Sequence, residues 1–493
     1  MISSEPEKNE EAVGIAALSP QCQRLLELQE EYGATWDSPD DPRDPYNWKP
    51  WRKVTISILV SSAQLVTLMS ASMTTAALGQ IATDVGMSVP QAQISFSIYF
   101  LGLAFAPFFI AAVSEMFGRR PVWLLSNVYF ILWNTLCPVG RSKGLMIAGR
   151  FMSASGASAG VVLTGPIMTD MYTAEMRGRS LAMAGLLPYL GPALGPIVGG
   201  VAAQNLDWPW LFWIISLFAA AITLAGLLFL PESYTPVLLH RKAKAENPDD
   251  PRFRAFSPTT RAFYRDLLTR LRAGVYRPVR LILKRPIMQY IAFNGGLNFG
   301  IYSIMLSTFA QLFMDRYQES ETISSLNYIA IALGTTLASQ VGGRVMDYVW
   351  RRLTKRNNGE TRPEYRAPYM APGGIMASVG LIWYGWAAEK GAPWIVVDVG
   401  ATVFIVGIFI TSGAFLAYTF DEFKHAASAS AACRLLTYIL GFAFPIFAPD
   451  LYSSLGYGWG NTLLALIWVV FGVPAPLVLW LWGPKLRAMG RDE

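Results

Sequence analysis

Arg150 stands several residues inside an apolar run from about residue 145 to 170. A guanidinium in such surroundings is costly unless it is paired or hydrated, so it marks a place where charge is handled away from bulk water. The bland alternative is a side chain that snorkels to the outer surface. Glu115, Arg119 and Arg120 close another apolar run around Gly118, whose freedom at positive φ suits a tight turn. Asp347, Arg351 and Arg352 repeat the same acid-x-x-x-Arg-Arg spacing 232 residues later. Asp170, Glu175, Arg177 and Gly178 form a further charged stretch, either as a structural cluster or as a proton carrier. In Gly191-Pro192-Ala193-Leu194-Gly195-Pro196-Ile197-Val198-Gly199-Gly200, glycines at 191, 195 and 199 form one smooth helix face, beside which Pro192 and Pro196 predict bends. The chemistry these residues support is the movement of charge and of helices. They do not assemble a bond-making centre.

Other chemistries find little support. Cys22, Cys137 and Cys433 are isolated, and His240 and His425 are the two histidines, so neither a disulfide framework nor a metal site is indicated. No Gly-x-x-x-x-Gly-Lys-Ser/Thr loop occurs, which leaves ATP-driven work unsupported. The expectation is a protein that is not an enzyme and needs no cofactor.

The elements that must position these groups follow from composition. With 493 residues, 53% hydrophobic, 15% charged and a mean hydropathy of +0.34, the chain reads as an integral membrane protein. Apolar segments long enough to cross a bilayer centre on 54–78, 92–113, 121–138, 145–170, 180–203, 210–230, 287–313, 322–346, 370–388, 393–419, 427–449 and 459–482, twelve in all. A polar break from 231 to 285 divides them six and six. The expected organisation is an N-terminal tail (1–53), a six-helix bundle (54–230), a central loop (231–285), a second bundle (286–482) and a C-terminal tail (483–493). Of the 40 basic residues, 33 fall in regions predicted to be cytoplasmic. Four (Arg141, Lys143, Arg316 and Lys390) fall in outer loops, and Arg150, Arg344 and Arg434 lie within spans. Both termini are therefore expected inside, and the net charge of +6 needs the inner membrane surface as partner rather than nucleic acid. Leu25, Leu26 and Leu28 suit a short amphipathic helix in a tail that either packs loosely on the domain or anchors to the membrane.

From about Asp41 to Leu486 the chain resembles the major facilitator superfamily, and within it the twelve-span drug:proton antiporters common in fungi. The resemblance is carried by Asp41-Pro42-Arg43-Asp44-Pro45-Tyr46-Asn47-Trp48, Ser114 through Pro121, Arg150 through Gly156, Asp170 through Gly178, the glycine-proline stretch, Pro231-Glu232-Ser233-Tyr234-Thr235-Pro236, Pro363-Glu364-Tyr365-Arg366 and Phe444-Pro445-Ile446-Phe447-Ala448. It implies two pseudo-symmetric bundles that rock about a central cavity. The charged clusters would act as latches, Arg150 as part of proton coupling, and the glycine-proline stretch as the antiporter motif of span 5. Ala111 replaces the family's glycine, and Arg434 stands three residues before the family's arginine position, where Thr437 is found.

Span 1 carries no acid, so the proton carrier is not assigned by the sequence; Asp398 and Asp170 are the candidates. Gln64 on span 1 and Asn294, Asn298 and Tyr302 at i, i+4, i+8 on span 7 either orient a ligand or bond neighbouring helices. The resulting expectation is a monomeric, proton-coupled exporter of small amphipathic molecules in a fungal plasma membrane. The alternatives are an importer or facilitator of a polyamine, sugar or vitamin, and a non-transporting receptor.

Overall fold

The computed structural model describes residues 34–172, 187–246, 261–423 and 426–490, together with Leu25, Leu28, Gln29, Met176, Ala184 and Gly185. Glu175, Arg177 and Gly178, and also Cys22 and Leu26, lie outside the described residues. Among the described residues every regular element is helical. The α-helices are α1 (Pro50–Ser72), α2 (Leu78–Val85), α3 (Val89–Phe117), α4 (Arg119–Leu136), α5 (Lys143–Met171), α6 (Gly191–Asn205), α7 (Pro209–Phe229), α8 (Thr235–Glu246), α9 (Arg261–Lys284), α10 (Pro286–Tyr317), α11 (Glu321–Leu326), α12 (Ile329–Arg356), α13 (Ala367–Glu389), α14 (Trp394–Glu422), α15 (Ala426–Phe471) and α16 (Ala475–Ala488).

Seven of these stretches are long and apolar enough to cross a membrane: α1, α3, α5, α7, α10, α14 and the run Ala429–Ala488. The helices α4, α6, α12 and α13 are shorter or less apolar. α15 is two helical segments meeting at Gly456, where φ of +69° favours glycine. There Glu389 Oε2 accepts Tyr457 N at 2.8 Å and Gly458 N at 3.3 Å, capping the segment that follows.

Local chemistry sets the boundaries. Proline lies in the first turn of α1, α3, α7 and α10, where its missing donor costs nothing. Ser88 and Gln91 form a capping box at the start of α3. The same rule refines the reading of the glycine-proline stretch. Pro192 sits in the first turn of α6, after a 3-10 turn at Pro188–Leu190, so it starts a helix; only Pro196 lies inside one.

Packing repeats along the chain. α1 packs on α6 as α10 packs on α15, α3 on α5 as α12 on α14, and α4 on α5 as α13 on α14. The glycine face of α6 lies on α1: β-carbons at Gly191, Gly195 and Gly199 would collide with Leu68, with Met69 O and Ser72 Oγ, and with Met73 O respectively. Across the two halves of the chain, Phe100 of α3 meets Phe299 edge-on at 5.3 Å and stacks on Tyr438 of α15 at 6.4 Å.

The polar stretches before α1 and after α7 are more structured than hydropathy suggests. Ala34 and Trp36 are buried with Leu239 of α8. Lys242 Nζ donates to Thr35 O at 2.7 Å and pairs with Asp37, while Arg43 links Asp37 to Asp41. Arg43's hydrogen bond holds the Asp41 carboxyl at about 2, below its ordinary value, so this contact is complete above the usual carboxylate range and fails as pH falls through about 2. Tyr46 then ties the segment to α5 by donating to Thr169 O at 3.3 Å. The polar break itself contains α8 and α9.

Candidate functional site

Arg150 is fully buried, so the snorkelling alternative does not describe it. Its Nη1 donates to Ser70 O at 2.8 Å and Ser70 Oγ at 3.4 Å, and its Nη2 to Ala71 O at 3.4 Å. Those carbonyls belong to the last turn of α1, where backbone acceptors lack helical partners and the helix dipole is negative. The guanidinium also stacks over the Tyr99 ring at 4.4 Å, and Tyr99 OH donates to Thr67 O at 3.1 Å. A buried cation is thus held by helix-end carbonyls and a π face, with no carboxylate among its described partners. This makes Arg150 a joint between α5 and the end of α1.

At the end where α3 turns into α4, the inner end if the basic residues face the cytoplasm, Arg119 pairs with Asp170 at 3.5 Å, donates to Ser114 Oγ at 2.6 Å and stacks on Tyr234 at 4.2 Å. Glu232 completes this cluster. Its Oε1 accepts Arg119 N at 2.8 Å, Ser233 N at 3.1 Å and Tyr234 N at 3.0 Å, and its Oε2 accepts Arg120 N at 3.2 Å. The carboxylate therefore caps the N-terminus of α4, where orphan donors and dipole both favour an anion. Gly118 turns at φ +99°, and a β-carbon there would run into that carboxylate. Arg120 Nη2 reaches Leu227 O at 2.9 Å, while Glu115 is exposed.

The second half of the chain has its own inner cluster. Arg366 bonds Asp421 at 2.9 Å and Asp347 at 3.3 Å. Arg487 grips Glu364 with two bonds, 2.8 and 3.1 Å, and reaches Glu422 at 3.1 Å, which also accepts from Arg285 at 3.0 Å. Arg351 and Arg352 are exposed. Every described ion pair in these two inner clusters stays within one half of the chain.

The opposite end, outer on the same expectation, is built differently. Gln80 Nε2 donates to Glu321 Oε1 at 2.6 Å, Thr322 N to Gln204 Oε1 at 3.0 Å, and Tyr328 OH to Thr75 Oγ1 at 3.0 Å. Each of these bonds crosses from the first half of the chain to the second. Gly200 abuts Glu321 O and Ser325 so closely that a β-carbon would not fit. Thus Gly191, Gly195 and Gly199 face α1, whereas Gly200 faces α11 in the other half.

The proposed ligand-facing residues of α10 are buried and differ in their bonds. Asn298 Nδ2 donates to Ile408 O at 3.1 Å and Ser412 Oγ at 3.0 Å, binding α10 to α14, and Asn294 Nδ2 returns to Tyr290 O at 3.0 Å. Asn294 Oδ1, Asn298 Oδ1 and Tyr302 OH are buried without a described partner. Gln64 is half-buried on α1. Asp398, in the first turns of α14, is buried with its Oδ1 unpartnered among the described residues. Arg434 is exposed on α15, while Thr437 bonds its own helix through Cys433 O.

Sequence reading missed Glu232, Glu364, Gln80, Gln204 and Glu321 as working residues. Glu232 and Glu364 were visible as acids inside Pro-Glu signatures flanking apolar runs, a usable signal. The outer residues gave none, because their partners lie more than a hundred positions away.

A family model described as Major Facilitator Superfamily matches residues 60–445. A probable efflux pump of Aspergillus flavus is 39% identical over 417 residues, covering 84% of this chain and 97% of that protein. An efflux pump of Penicillium aethiopicum is 36% identical over 93% of this chain and 90% of its own length. Among solved structures, the xylose transporter XylE of E. coli, described as partially occluded and inward open, superposes with a TM-score of 0.62 at 16% identity, covering 87% of this chain and 97% of that one. That last likeness concerns the fold alone.

Proposed function

The chain belongs to the major facilitator superfamily of membrane-spanning small-molecule transporters, and from that premise we propose that it is a proton-coupled exporter of small amphipathic molecules, drug-like compounds or secondary metabolites, working by alternating access. In this reading twelve spans form two bundles, 54–230 and 286–482, joined by 231–285. Both termini lie in the cytoplasm, and the protein acts as a monomer in the plasma membrane.

The observation that carries the reading is the one-sided closure. Among the described residues, hydrogen bonds between the halves are gathered at the outer end, while the inner ion pairs each stay within one half. That is the arrangement of an inward-facing state in a two-state carrier. Export as the direction draws on the efflux-pump relatives, 39% and 36% identical, and on the glycine-proline stretch.

Within this scheme Arg150 and Asp398 take part in proton coupling. Gly118, Arg119, Arg120, Asp170, Asp347, Arg351 and Arg352 serve the inner latch, with Glu115, Glu175 and Arg177 joining it when the inner mouth closes. Gly191, Pro192, Gly195, Pro196, Gly199 and Gly200 form the antiporter motif, seating α6 on α1 and α11, and Gln64, Asn294, Asn298 and Tyr302 face the ligand. Purified protein in liposomes tests the coupling. A ligand gradient should be driven by an imposed proton gradient and vanish when that gradient is collapsed; equal movement in both conditions would defeat the antiport claim.

A further inference from the structure

α9 is a 24-residue helix inside the polar break, and its surface is divided into stripes. Leu267, Leu271, Gly274, Pro278 and Leu281 are turned toward the protein, with Pro278 buried and the others half-buried. Next to that seam run Tyr264, Leu268 and Val275, exposed by 61%, 68% and 39%. One further step round the helix stand Arg261, Arg265 and Arg272, all exposed, at the same i, i+4, i+11 spacing, with exposed Leu283 and Tyr276 beside them. An apolar strip flanked by an arginine row is the pattern of a helix lying in a membrane interface.

Its depth agrees. α9 packs on α3 and α15, the pair that meets across the two halves, and a β-carbon on Gly274 would lie 3.6 Å from Phe108 O. At about 1.5 Å per residue, Phe108 lies roughly 28 Å along α3 from Val89, close to the thickness of a hydrocarbon core of about 30 Å. α3 then continues to Phe117 beyond that level. With Val89 at the outer boundary, the middle of α9 sits where acyl chains give way to headgroups on the inner side.

We propose that α9 is a membrane-surface helix that docks on anionic phospholipid headgroups of the inner leaflet through Arg261, Arg265 and Arg272, with Leu268 and Val275 set among the upper acyl carbons. The depth, the exposed apolar strip and the adjoining charge together fit a lipid surface. A soluble acidic partner would match the arginines but leave the strip in water. Because α9 spans the α3–α15 seam, anchoring it ties both halves to the leaflet at the inner mouth.

Amide exchange of residues 261–284 in the full-length protein tests this, in nanodiscs of phosphatidylcholine alone or mixed with phosphatidylserine. Phosphatidylserine should slow exchange in α9, and added salt should reverse the effect. An R261Q/R265Q/R272Q variant should lose about a hundredfold of the preference for the anionic bilayer, with exchange elsewhere unchanged as the control for folding. A Leu268→Ser variant should keep the salt dependence but bind the surface less. Equal exchange in both lipids would overturn the proposal, as would serine-lipid protection that survives in the triple variant. Protection by soluble glycerophosphoserine in phosphatidylcholine discs would also overturn it, in favour of a free-anion site. The readout is lipid contact rather than transport, so its outcome is separate from that of the export assay.

Discussion

The two ends of the molecule solve different problems with different bonds. At the outer end, Gln80, Gln204, Thr75 and Gly200 of the first half meet Glu321, Thr322, Tyr328 and Ser325 of the second through short-range hydrogen bonds and one close backbone approach. At the inner end, Arg119, Asp170 and Glu232 form one charged cluster, Arg366 joins Asp347 and Asp421, and Arg487 and Arg285 join Glu364 and Glu422. Hydrogen bonds of the outer kind contribute about 1 kcal/mol each, whereas breaking a part-buried charge pair costs more, about 3–5 kcal/mol. The contrast suits a machine whose seam must part while each half stays rigid.

The largest effect expected from breaking this contrast is at Gly195 and Gly200, and the two should fail differently. Gly195→Leu drives a side chain into Met69 O and Ser72 inside the first half, so it should abolish transport and lower the melting temperature of the detergent-solubilised protein. Gly200→Leu meets Glu321 O and Ser325 across the seam. It should also stop transport, yet leave melting nearly unchanged and expose outer-end cysteine probes to reagents added from outside.

Next in size is Glu232→Ala, which strips four backbone donors of one carboxylate and should cost about 2–4 kcal/mol of stability, read as a lowered melting temperature. Arg150→Lys replaces a planar fork held by Ser70 O and Ala71 O with a single ammonium. Its transport rate should fall by about tenfold or more, a loss of about 1.4 kcal/mol, while the protein remains folded in the membrane.

The smallest effect concerns pH at the outer seam. Burial pushes the Glu321 carboxyl above its ordinary value, against the hydrogen bond from Gln80 that lowers it. A raised value means that protonation favours the closed seam. Closure is therefore strongest below the ordinary carboxylate range and weakens as external pH rises through the shifted one. Glu321→Gln should flatten that dependence in a cross-linking assay between α2 and α11.

Much of this was legible in the sequence because it rests on local pattern. Arg150 was conspicuous inside an apolar run, and the four-residue glycine period foretold a helix face that does lie on α1. Other features were hidden by distance. Nothing near Glu232 announces that its carboxylate caps a helix 113 positions earlier, and the outer seam joins residues more than a hundred positions apart. Pro192 was misread as a bend because a proline's effect depends on where its helix begins, which the preceding 3-10 turn decides. α9 escaped a hydropathy scan because arginines offset its leucines in any average, although its helical period carries the signal. That Asn298 Nδ2 also bonds α14 was hidden for the same reason, its partners lying 110 and 114 positions away.

The central claim is that the outer seam opens as the inner mouth closes. Paired spin labels test it most directly, at Thr83→Cys and Ile323→Cys for the outer end and at Leu228→Cys and Tyr348→Cys for the inner, with the native cysteines replaced. When transported ligand is supplied from the inner side at fixed pH, the outer distance should lengthen while the inner one shortens. Distances that change together, or that stay fixed while ligand is transported, would contradict the account.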